Sequence, residues 1–174
     1  MRFIIHGGTL SRSLQSISSV VPSGRTMPIL LNFLMELKGE DLTVTASDLE
    51  TTITVKLNPG MVEQGSINRI AIPAKMFLEV VNSLSSQQIT IEVQEDFSVE
   101  ITAGTGKYKL VGEDPESYPV AMELEEPVLT TMSSSILVKA IGKTIFATGN
   151  SELRPQMSGV LCEQTESGTT FVAT

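Results

Sequence analysis

Residues 1–112 run through one order of elements twice. "RFII" is a short apolar strand, and Leu10, Leu14, Ile17 and Val21 recur at helical spacing behind Thr9, a candidate N-cap. "ILLNFLMEL" follows as a strand, then "LTVTAS" and "TTITVKL", which alternate with period two. The order starts again at "SINRIAI". Pro73 sits where a first helical turn tolerates proline, and Phe77, Val80, Val81 and Leu84 share the next helical face. "QITIEV", "FSVEITA" and "KYKLVG" complete the second round, joined by turns at Glu95-Asp96 and Gly104-Thr105-Gly106. Two tandem β-α-β-β-β units predict an α+β fold, with both helices on one face and antiparallel sheets on the other.

Three prolines and six acids between 113 and 127 break this order and read as a connector. Beyond it, "TTMSSSILVKAIGKTIFATGN" is a serine-led helix over 133–148, with Ile136, Leu137, Ala140, Ile141 and Ile145 on one face. Sliding the chain by 127 residues lays Leu10 on Leu137, Arg12 on Lys139 and Leu14 on Ile141. The same shift lays "PILLNFLME" on "PQMSGVLCE" and "LTVTAS" on "TTFVAT". A register held over some forty positions is the mark of a duplicated unit. The expected division is a complete domain over 1–120, a connector over 121–127 and a second copy over 128–174. That copy is expected to be truncated at Thr174, the counterpart of Ser47, with a third domain absent.

The charges are distributed unevenly. The chain carries 20 acids and 12 bases, for a net charge of −8, which on its own argues against tight binding to nucleic acid. The three helical segments nevertheless hold four bases, Arg12, Lys75, Lys139 and Lys143, and one acid, Glu79. A helical layer of that kind either serves solubility or faces a polyanion, with weak, sequence-independent, salt-sensitive contact.

Groups suited to catalysis are few. His6 is the only histidine, so no histidine-based triad or metal cluster can be assembled. Cys162, the single cysteine, follows alternating apolar residues and is expected in the core; it permits no internal disulfide. "GTGKYK" lacks phosphate-loop spacing and reads as a hairpin turn. Asp48 and Glu50 stand at a strand junction, where aspartate commonly bonds nearby backbone amides. The expectation is a non-enzyme with no cofactor and no metal. The longest apolar runs are too short to cross a bilayer and the N-terminus is no secretory signal, so a cytoplasmic location is expected.

"MPILLNFLMEL", "LTVTASDLE", "IPAKMFLEVVNSL", "GKYKLVGEDPESYP" and "MSGVLCE", in that order, closely resemble the bacterial DNA polymerase III beta subunit, the sliding clamp. The resemblance implies a DNA-clamp fold of three similar domains, with two subunits closing head to tail around duplex DNA. Helices would line the hole and sheets would form the outer wall. Such a processivity factor does no chemistry and tethers the replicative polymerase by topology. By the same resemblance Arg12, Arg25, Lys75, Lys139 and Lys143 would face DNA, and Lys107, Tyr108 and Leu110 would lie on the subunit-interface strand. Arg154, Met157 and Thr174 would wall part of the pocket that takes short peptides of the polymerase and the clamp loader. The alternative is a non-catalytic protein-interaction module of the same fold that does not encircle DNA.

Overall fold

Phe3 and Ile5 alternate with Arg2 and Ile4 along β1 (Arg2–His6), so one face of this strand is apolar and needs cover. The computed structural model describes residues 1–24, 27–119, 129–149 and 153–174, in two compact units, Met1–Met122 and Glu123–Thr174. In unit 1, β1 leads into α1 (Gly7–Ser18), then β2 (Asn32–Lys38), β3 (Asp41–Ser47) and β4 (Thr52–Leu57). A short strand, β5 (Met61–Glu63), precedes the second round of β6 (Arg69–Pro73), α2 (Ala74–Ser83), β7 (Gln88–Val93), β8 (Ser98–Ala103) and β9 (Gly106–Val111).

The two halves exchange their first strands. β1 lies antiparallel to β7 and β6 antiparallel to β2, giving sheets ordered β5-β1-β7-β8-β9 and β4-β3-β2-β6. The registers correspond. Arg2 faces Glu92, Phe3 faces Ile91 and Ile5 faces Ile89; likewise Arg69 faces Glu36, Ile70 faces Met35 and Ile72 faces Phe33. Each half therefore depends on the other to cover its apolar strand.

α1 and α2 pack on each other and against the sheets, and Leu10, Leu14, Ile17, Phe77 and Val81 join one core with Phe3, Phe33, Met35 and Ile91. Each such fully buried side chain contributes about 1.5–3 kcal/mol relative to exposure. Tyr118 anchors a smaller core with Ile29, Leu30, Leu34 and Ala71. Its hydroxyl lies 3.4 Å from the carbonyls of Asn32 and Thr45, longer than a good O–H···O bond. Burial pushes the Tyr118 phenol up, against a smaller opposing effect of a hydrogen bond with the Ser47 backbone.

Several boundaries differ from the sequence expectation. α1 starts at Gly7 rather than behind Thr9, because His6 is the N-cap and its Nδ1 accepts from the Gly8 N–H at 3.2 Å. Gly7 is needed there: a Cβ would collide with the Leu84 carbonyl oxygen, and the Gly7 N–H donates to the Gln87 carbonyl at 2.9 Å. Pro28–Leu31 form a 3-10 turn ahead of β2 rather than its first residues, and β5 is too short to carry a period of its own. The expected connector at 121–127 lies outside the described residues.

Unit 2 contains α3 (Ser134–Thr144), 3-10 turns at Ile145–Ala147 and Pro155–Ser158, and the antiparallel pair β10 (Leu161–Thr165) and β11 (Gly168–Val172). These reproduce α1, the Pro28–Leu31 turn, β2 and β3 in the 127-residue register. Residues 129–133, the counterparts of β1, are not a strand, although Thr130 donates to the Gln164 side chain at 2.6 Å. β1 is held between β5 and β7, and neither has a counterpart among the described residues of unit 2. None of those residues is buried. Cys162 is accordingly exposed rather than in a core, whereas its counterpart Met35 is buried by the rest of unit 1.

Two measurements check this account. Gly7→Ala gains helix propensity but drives a Cβ into backbone, so it should destabilise unit 1 by about 1–3 kcal/mol in urea unfolding. An unchanged or raised midpoint would refute the close approach. Tyr118 and Tyr108 are the only two tyrosines. In a Tyr108→Phe variant, absorbance titration should find the remaining phenol ionising above its ordinary value of 10.0. The folded pKa is raised above the unfolded one, so the linked stability is fully present below pH ~10 and lost as pH rises through the folded pKa.

Candidate nucleic-acid interface

α1 has no acidic residue, and its polar positions are Ser, Thr and Gln apart from Arg12. Arg12 is exposed, with its Nε donating back along the helix to the Gly8 carbonyl at 3.2 Å. Lys75 is exposed in the first turn of α2, where it lines a shallow cleft with Val21, Phe33 and Leu78. Lys139 and Lys143 lie four residues apart on α3, so they share a face, and both are exposed. Arg25 lies outside the described residues.

The seam between α1 and α2 is polar but uncharged. Ser11 Oγ donates to Asn82 Oδ1 at 2.5 Å, and Gln15 Nε2 donates to the same oxygen at 3.1 Å. Nothing in the motifs or the charge pattern singles these three residues out. Ser11 and Gln15, one turn apart beside the apolar stripe, are the available signal.

The strands use their bases differently. Arg2 pairs with Glu63 at 2.9 Å and more loosely with Glu92 at 3.9 Å, and Arg69 pairs with Glu36 at 2.7 Å. Lys56 pairs with Asp41 at 2.7 Å and Lys107 with Glu100 at 2.8 Å. The Lys107 hydrogen bond holds the Glu100 carboxyl below the usual range and raises Lys107 in turn. Among the described residues, no ion pair involves Arg12, Lys75, Lys139 or Lys143. Most strand cations are thus neutralised locally, Lys38 and Lys109 excepted, whereas the helix cations remain available to an external anion.

The other expected positions fall in two places. β9 pairs only with β8 and so forms a sheet edge, where Lys107 and Tyr108 are exposed. Leu110 points into the core and is buried, so it could serve an edge contact only through its backbone. Arg154 and Thr174 are exposed, and Met157 is half-buried within the Pro155–Ser158 turn. The β10-β11 register pairs Leu161 with Val172, which puts Thr174 at the end of the hairpin that this turn enters.

The carboxylates at the β3-β4 junction have local work. Asp48 Oδ1 accepts from the backbone N–H groups of Glu50 and Thr51, at 3.0 and 2.6 Å. Among the described residues, no group of three or more His, Cys, Asp or Glu is placed to hold a metal. No described helix is long and apolar enough to cross a membrane.

Comparison with known proteins adds an independent line. The family model described as "DNA polymerase III beta subunit, N-terminal domain" matches residues 1–123. The beta sliding clamp of Halalkalibacterium halodurans is 33% identical, with 100% of this chain and 47% of the relative covered. That of Chlamydia pneumoniae is 26% identical over the same shares. The chain thus spans about half the length of the curated relatives it matches. Among solved structures, DNA polymerase III subunit beta from Pseudomonas aeruginosa superposes with a TM-score of 0.91 at 27% identity. The Bacillus subtilis sliding clamp gives 0.89 at 28%; each alignment covers 100% of this chain and 47% of the solved one.

The charge partition predicts a rank order in stability. Replacing Arg12 and Lys75 together by Ala should leave urea unfolding of unit 1 within about 0.5 kcal/mol of the parent. Arg69→Ala strands Glu36, whose side chain is only 18% exposed. It should cost about 1–2 kcal/mol, between the values for surface and buried pairs. The reverse order would mean that the helix bases are structural.

Proposed function

The chain belongs to the DNA polymerase III beta subunit family, and on that footing we propose that it serves as part of a ring-shaped sliding clamp. The clamp encircles duplex DNA and tethers the replicative polymerase in the cytoplasm without chemistry of its own. The observation that carries this reading is the partition of charge: among the described residues the helix bases have no acid partner, while most strand bases do. A ring needs no tight grip on DNA, because topology does the holding. Its inner wall must attract phosphates weakly and without sequence preference, so that the ring can slide.

In this arrangement Arg12, Arg25 and Lys75 face the duplex from the first domain, and Lys139 and Lys143 from the second. The β9 edge, with Lys107, Tyr108 and the backbone at Leu110, joins the neighbouring subunit of a head-to-tail homodimer. Arg154, Met157 and Thr174 contribute one side of a pocket for short peptides of the polymerase and the clamp loader. The proposed domain division is 1–120 and 128–174, with 121–127 between. The acids and the single histidine take no catalytic part: Asp48 is committed to backbone amides and His6 to a helix cap.

Fluorescence anisotropy at low salt tests the electrostatic half of this proposal. Lys139→Ala with Lys143→Ala should weaken binding equally to two unrelated duplexes. The slope of log K against log salt should fall by about 0.9 for each phosphate that is no longer neutralised. Selective weakening on one sequence would contradict a helical lining. For the topological half, a protein of the relatives' length carrying these residues should, once loaded, stay on nicked circular DNA and run off it after linearisation. Equal retention would favour a protein-interaction module over a ring.

A further inference from the structure

The helix layer of unit 1 holds polar groups without charge, and one of them is fixed in a single orientation. Asn82 is exposed in the last turn of α2. Its Oδ1 accepts twice, from Ser11 Oγ at 2.5 Å and from Gln15 Nε2 at 3.1 Å, and both donors stand on α1. A side-chain amide has one acceptor oxygen and one NH2 group with two donors. With the oxygen held against α1, Nδ2 is turned away from the seam, and among the described residues nothing accepts from it. Ser11 is buried, so water does not readily replace the first of these bonds.

The charges around Asn82 point to the same role. α1 and α2 run antiparallel, with Ser11 beside Asn82 at one end and Ser18 sharing a cleft with Lys75 at the other. Lys75, Glu79 and Asn82 follow at spacings of four and three, and so lie along one exposed stripe of α2. Glu79 sits between the other two and offsets the charge of Lys75. An anion lying across the Asn82 end of this stripe therefore meets no net positive charge on α2 and finds an amide donor instead. Arg12, next to Ser11 on α1, is exposed across the seam.

We propose that Asn82 is a contact for DNA phosphate, an uncharged hydrogen-bond donor held ready by Ser11 and Gln15. This rests on the clamp reading, in which the helices face the duplex, and adds a group that no count of bases finds. Amide side chains bond phosphate oxygens as Arg and Lys do, and such contacts carry no sequence preference. A neutral donor neutralises no phosphate charge, so its share of binding does not depend on counterion release and is insensitive to salt. Because the amide is already held in place, it gives up little rotamer freedom on contact.

Fluorescence anisotropy with the whole chain and two unrelated duplexes, over a series of salt concentrations, provides the test. Asn82→Ala should lower affinity by roughly two- to tenfold, equally for both duplexes, as expected for the loss of one hydrogen bond. The slope of log K against log salt should stay as in the parent, whereas Lys139→Ala with Lys143→Ala should flatten it. Ser11→Ala removes one of the two donors that hold the amide and leaves the amide itself, so its loss should be smaller than that of Asn82→Ala. An equal loss would mean that the seam acts only through packing of the helices, and overturns the proposal. So does an Asn82→Ala variant that binds like the parent, discriminates between the duplexes, or flattens the slope as the lysine variant does. If the lysine pair also has no effect, the helical lining itself fails. If Asn82→Ala alone has none, the lining stands without this contact.

Discussion

The exchange of first strands between the two halves of unit 1 is the constraint on which the remaining structure depends. A strand such as β1 has no partner in its own half's main sheet: it leaves β2-β3-β4 behind and pairs with β7. β6 repeats the move in the opposite direction. Because backbone groups must be paired when buried, neither half can close its sheet alone. The core that spans both sheets and both helices therefore forms as one body.

That constraint also explains the contrast with unit 2. Its helix, 3-10 turn and hairpin keep the local pattern of the first half, because propensity, the proline and the turn residues act over short distances. Burial acts over long ones. Lacking a counterpart of α2 and β6–β9 among its described residues, unit 2 leaves 129–133 outside any strand and every described residue unburied. Met35 and Cys162 hold the same register position, yet one is in a core and the other is exposed.

Charge follows the same division of labour. The strands carry both signs and pair them across the ladder, Arg69 with Glu36 directly opposite and Lys107 with Glu100 on the diagonal. The helices of unit 1 carry a single acid, Glu79, and their seam is closed by neutral groups, Ser11, Gln15 and Asn82. In a chain with a net charge of −8 the helices of unit 1 thus hold two bases, Arg12 and Lys75, against that one acid.

The order of elements, the α+β class, the 127-residue repeat and the basic character of the helices were legible in the sequence, since each rests on periodicity or composition within short windows. The family was legible as well, from motifs whose spacing survives in the chain. What escaped depended on contacts between distant residues. Position 7 must be glycine because the Leu84 carbonyl, far along the chain, lies against it. Leu110 lies on the expected edge strand but turns inward, and Cys162 has the sequence neighbours of a core residue without the core. Where the helices, turns and hairpins form, and where the charges fall, follows from the order of the amino acids over short stretches. Which faces are covered does not, because covering a face requires a partner brought from elsewhere in the chain, and that is a property of the folded whole.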